Sequence, residues 1–132
     1  MRVIKFRAWD KDRNEWFIHG SLQIGLDGNL CLDEVAKNYR KNRFDILQFT
    51  GITDKNGKEI YDGDIIKDID GSILTVQYGG PYEYCGFGVS RKRRPGEFGT
   101  DPTWDELNSR WCKDIEVIGN IYENPELVQH AN

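Results

Sequence analysis

The chain has 132 residues, a formal net charge of −4 and 38% hydrophobic residues, enough for one ordinary domain that buries roughly two thirds of its unfolded surface. Four Trp, six Tyr and six Phe offset the low apolar fraction, because each buried aromatic removes about 150 to 250 Å² from water. No run approaches the roughly 18 apolar residues of a membrane helix, and no basic-then-apolar leader opens the chain. A helical membrane protein is thereby excluded, and the cytoplasm is the expected compartment.

The opening run Arg2 to Trp9 puts Ile4, Phe6 and Ala8 on one face and Lys5, Arg7 and Trp9 on the other. That two-residue period predicts a half-buried strand. Polar residues Asp10 to Glu15 interrupt it before Trp16-Phe17-Ile18 resumes, which predicts a hairpin with a loop longer than two residues. Asp27-Gly28 is a turn signal between short runs around Leu22-Gln23-Ile24 and Leu30-Cys31-Leu32. The period then changes. Leu32, Val35, Ala36 and Tyr39 follow the spacing of one helical face, and Asp33 and Glu34 suit a helix N-terminus, so a short helix is expected over 33–41. Phe44 to Phe49 returns to strand composition.

From Gln48 to Lys67 two turn signals bracket strand-like runs. Asn56-Gly57 offers the positive φ angles of a tight primed turn, and Asp62-Gly63-Asp64 places a second flexible glycine before Ile65-Ile66. Ile65 to Ile69, Asp70-Gly71 and Ser72 to Tyr78 read as another hairpin with a type I′ turn. Phe87-Gly88-Val89 is a further short strand, and 95–102 reads as a loop. Thr103-Trp104-Asp105-Glu106 matches a capping box, which predicts a short helix carrying Trp104, Leu107 and Trp111 on one face. Ile115 to Tyr122 is strand-like, and Asn124-Pro125 opens a last helical turn over Glu126 to Gln129. Without an internal repeat or linker, the chain reads as a single domain over 1–132. The expected class is mainly β (α+β), a small bent antiparallel sheet or SH3-like barrel with two or three short helices.

The residue types that carry chemistry give little pattern. Cys31, Cys85 and Cys112 are odd in number, widely spaced and without a C-x-x-C pair, so they read as structural or incidental thiols. His19 and His130 have no partner near them in sequence. Glu59, Asp62, Asp64, Asp68 and Asp70 crowd together, yet their spacing does not match a calcium loop and the turns explain most of them. Gly79-Gly80-Pro81 and Gly86-Phe87-Gly88 lack the lysine and helix of a phosphate loop. No catalytic, metal or cofactor residue is assigned. A small hydrolase stays a secondary alternative, since sites assembled in space leave little sequence trace.

Charge is the sharpest feature. Lys37, Arg40, Lys41 and Arg43 form one basic cluster, and Arg91-Lys92-Arg93-Arg94 forms another. Removing these eight positive charges from −4 leaves −12 on the rest, so charge is markedly segregated. These eight residues are the candidates for nucleic-acid contact, the alternative to a protein-binding role. Trp9, opposite the expected core face, is either packed under a second layer or presented at a subunit interface, and it is the interface candidate.

Three stretches carry a resemblance. They are Ile4-Lys5-Phe6-Arg7-Ala8-Trp9-Asp10, then Gln48-Phe49-Thr50-Gly51 through Asp62-Gly63-Asp64-Ile65-Ile66, and Val117-Ile118-Gly119-Asn120-Ile121-Tyr122-Glu123-Asn124-Pro125-Glu126-Leu127. In this order they resemble the YopX family of phage and prophage proteins across essentially the whole chain. The resemblance implies a small, mainly β, self-associating protein in the cytoplasm of a bacterial host, with no established activity and no catalytic residue to carry over. The expected role is a non-enzymatic homo-oligomeric module that binds a host or phage macromolecule.

Overall fold

Two reversals in the middle of the chain share one geometry. In the first, Asp54 N–H donates to the Lys58 carbonyl at 2.8 Å and Gly57 N–H to the Asp54 carbonyl at 3.0 Å. In the second, Asp68 N–H donates to the Ser72 carbonyl at 2.9 Å and Gly71 N–H to the Asp68 carbonyl at 3.0 Å. Gly57 and Gly71 have φ of +79° and +85°, whereas Asn56 and Asp70 stay at negative φ. Both are therefore type I turns closed by a left-handed glycine and a bulge, not the primed two-residue turns expected from Asn-Gly and Asp-Gly. The side chain of Asp54 accounts for the first, because its Oδ1 accepts the Asn56 amide at 2.8 Å and the Lys58 amide at 2.9 Å, holding the loop one residue wider.

The computed structural model describes residues 4–17, 22–24, 30–32, 43–79, 86–91, 96, 98 and 103–129. Its strands are β1 (Phe6–Asp10), β2 (Glu15–Trp16), β3 (Leu22–Ile24), β4 (Leu30–Leu32), β5 (Phe44–Thr53), β6 (Glu59–Tyr61), β7 (Asp64–Lys67), β8 (Ile73–Tyr78), β9 (Phe87–Arg91), β10 (Thr103–Glu106) and β11 (Glu116–Asn120). A 3-10 turn spans Trp111–Asp114, and one short helix, α1, spans Pro125–Gln129. The chain is thus mainly β and antiparallel, as the turn-rich sequence predicts. The helix expected over 33–41 lies outside the described residues. Among the described residues, no helix is long and apolar enough to cross a membrane.

The larger compact unit comprises Met1–Phe6 with Leu47–Asn132. Its centre is a curled antiparallel sheet in the order β10-β9-β8-β7-β11. Leu74 and Val76 on β8, and Phe87 and Val89 on β9, alternate along their strands and meet Ile60, Ile66, Leu107, Cys112, Ile115 and Val117 in one core. Ile65 and Ile66 are both fully buried, so β7 is covered on its two faces.

Where the capping box predicts a helix, the structure has a strand. Thr103, Trp104, Asp105 and Glu106 of β10 face Arg91, Ser90, Val89 and Gly88 of β9. Gly88 makes this possible, since a Cβ there would stand 2.5 Å from the Trp104 ring and 2.6 Å from the Asp105 carbonyl oxygen. Non-local pairing overrides a local signal worth about 1 kcal/mol. Helical character resumes only at the 3-10 turn.

The N-terminal run also departs from expectation. Ile4 and Phe6 are 64% and 48% exposed. Lys5 between them is the engaged residue, its carbonyl accepting the Phe49 amide at 2.8 Å and its Nζ meeting Glu59 at 2.8 Å.

The smaller unit is Arg7–Ile46. Within it β1 and β2 pair with Trp9 opposite Trp16 and Asp10 opposite Glu15, which gives the long-looped hairpin that the sequence predicts. Leu22–Ile24 and Leu30–Leu32 pair antiparallel as well.

The C-terminal motif is built by side-chain capping. Asn120 Oδ1 accepts the amides of Tyr122 and Glu123 at 3.0 and 2.9 Å, and its Nδ2 donates to Glu123 Oε1 at 2.9 Å. Asn124 Oδ1 accepts the Asn120 amide at 3.3 Å, an approach that leaves no room for a Cβ at Gly119. These residues turn the chain from β11 into α1.

Candidate functional site

In the larger unit a groove of about 670 Å³ opens between the Asp68–Ser72 turn, the end of β10 and the 3-10 turn. It is lined by Asp68, Ile69, Asp70, Asp105, Glu106, Asn108 and Trp111. Each side chain has a local reason for its place. The turn between β7 and β8 carries the first three, and Asp68 and Asp70 accept the amides of Ile69 and Ser72 at 2.7 and 2.9 Å. Asp105 and Glu106 lie on β10, one of the two outer strands of its sheet, where charged residues discourage edge-to-edge pairing.

Trp111 is fixed at two points. Its backbone amide donates to Asn108 Oδ1 at 2.9 Å and its indole Nε1 to Asp68 Oδ1 at 3.2 Å. The ring is half-buried against the core. Ile69, beside it on the turn, is 81% exposed. A fixed indole, a protruding aliphatic side chain and four carboxylates together form a surface of the kind that receives a cationic segment. Aromatic faces and carboxylates attract guanidinium and ammonium groups, and the aliphatic stems of such residues pack on apolar side chains.

The seven lining residues include no hydroxyl, thiol, amine or imidazole that could act as a nucleophile. Among the described residues, no three His, Cys, Asp or Glu side chains converge to hold a metal ion. Cys112 is fully buried, and burial, followed by the nearby charge of Asp54, pushes its thiol up to about 12. A thiol held so far above neutrality is not a thiolate nucleophile.

The residues nominated from sequence fall in several places. Lys37, Arg40, Lys41, Lys92, Arg93 and Arg94 lie outside the described residues, and Arg91 ends β9. Arg43 is in the smaller unit, where its Nε and Nη2 donate to Asp10 Oδ1 and Oδ2 at 2.8 and 2.7 Å. The two side chains are only 12% and 3% exposed, so this guanidinium is committed to an internal ion pair. Asp10 Oδ1 also accepts the amides of Asp12 and Arg13 and so shapes the loop after β1. The Arg43 contact is the main reason that its carboxyl is held below the usual carboxylate range. Trp9 is 6% exposed, its ring edge-on to Trp16 at 4.9 Å.

Sequence reasoning did not find the groove. Its acidic turn was visible, but the role of Trp111 depends on contacts with Asp68 across 43 residues. The misread capping box also placed Trp111 on a helix face.

The family described as YopX protein matches residues 5–129 of the chain. No curated protein matches it in sequence. Among solved structures, the crystal structure of protein EF1440 from Enterococcus faecalis is similar at 24% identity with a TM-score of 0.49. That similarity covers 97% of this chain and 99% of the other.

Proposed function

The chain belongs to the YopX family, and from that premise we propose that it is a non-enzymatic, homo-oligomeric binding module encoded by a phage or prophage and acting in the host cytoplasm. The groove around Trp111 is its contact surface, and a lysine- or arginine-rich protein segment is the ligand class that it suits. The supporting observation is the combination of a doubly anchored indole, an 81% exposed Ile69 and the carboxylates of Asp105 and Glu106 on one concave surface. The three stretches that carry the resemblance to the family have structural tasks instead. Asp10, Asp54, Gly119 and Asn120 hold turns and strands together, which leaves recognition to parts of the chain outside them.

Two measurements test this reading. Light scattering across a salt series gives the oligomeric state, and an oligomer that persists at micromolar concentration is expected. Titration of an arginine-rich peptide, followed by tryptophan fluorescence, is expected to quench Trp111 in the native protein and not in Asp105→Lys/Glu106→Lys. Because both charges are exposed, that variant should fold normally. Equal quenching in the two proteins would overturn the groove assignment, and a monomer at all concentrations would overturn self-association.

The segregated basic charge favours nucleic acid as a second reading. Binding that weakens steeply with salt and is lost when Arg91 to Arg94 are reversed to Glu would support it. Salt-insensitive binding would remove it.

A further inference from the structure

We draw no further inference here: the strongest candidate, the carboxylate cluster of Asp68, Asp70, Asp105 and Glu106 around Trp111, belongs to the groove already described, and nothing beyond the cluster itself points to another ligand.

Discussion

The backbone amide of Val117 donates to Oδ2 of Asp54 at 2.9 Å, joining β11 to the hairpin tip across 63 residues of sequence. Asp54 is buried, and its other oxygen already accepts two amides of its own turn. Lys55 N–H adds a bond to the Ile115 carbonyl at 3.0 Å. One carboxylate thus fixes the turn and its distance from the last strand.

Replacing Asp54 by Asn should therefore cost about 2 kcal/mol at pH 7, since hydrogen bonds to charged groups are worth about 1.5 to 3 kcal/mol each and the amide retains part of the network. The urea midpoint of Asp54→Asn against the parent checks the value. Burial alone would raise the Asp54 carboxyl, but the amides of Val117, Lys58 and Asn56 outweigh it and hold the group below its ordinary value. Between the folded and unfolded values the unfolded chain binds the extra proton, so stability rises with pH in that window. The contribution is complete above the unfolded value of about 4 and fades as pH falls through the lower folded value. A midpoint that falls less steeply below pH 4 in Asp54→Asn is the expected result.

Arg43→Ala should destabilise the smaller unit by roughly 3 to 5 kcal/mol, because it leaves the buried Asp10 carboxylate without its charge partner. Arg43→Lys should recover only part of the loss, as an ammonium cannot reproduce the two-point contact. Fluorescence of Trp9 and Trp16, which touch in this unit, reports the change. A fully stable Arg43→Ala with weakened nucleic-acid binding would instead show that the guanidinium serves a ligand.

Gly88→Ala tests the strand at 103–106. The added methyl would have to displace the Trp104 ring and the Asp105 carbonyl, and overpacking of this kind costs about 1 to 3 kcal/mol. Faster amide exchange across β10, with β7 and β8 unaffected, is the expected pattern. Unchanged exchange in β10 would mean that Trp104 does not need this close approach.

Cys112 should resist alkylation in the native protein at pH 8 and react once urea unfolds it. A thiol pushed to about 12 and fully buried presents almost no thiolate. Mass spectrometry of the peptide that contains Cys112 separates it from Cys31 and Cys85. Native labelling as fast as in urea would contradict its burial.

The local signals were legible where the structure is itself local. Asn-Gly and Asp-Gly marked the reversals at 54–58 and 68–72, the second of them with β7 and β8 as its arms, and Asn124-Pro125 marked the start of α1. The turn type was not legible, because a side-chain acceptor at Asp54 decides whether Asn56 enters the left-handed region. The capping box at 103–106 was a sound local pattern overruled by β9, whose Gly88 admits Trp104.

By itself the sequence determined the β class, the positions of the hairpins and membership in the family, since these depend on neighbours a few residues apart and on motifs spread along the whole chain. Only the tertiary structure decided that Asp54 holds β11, that Arg43 neutralises Asp10 and that Trp111 lies fixed in an acidic groove. The physical reason is sequence separation. These contacts join residues 33 to 63 positions apart, and no periodicity or turn propensity reaches so far.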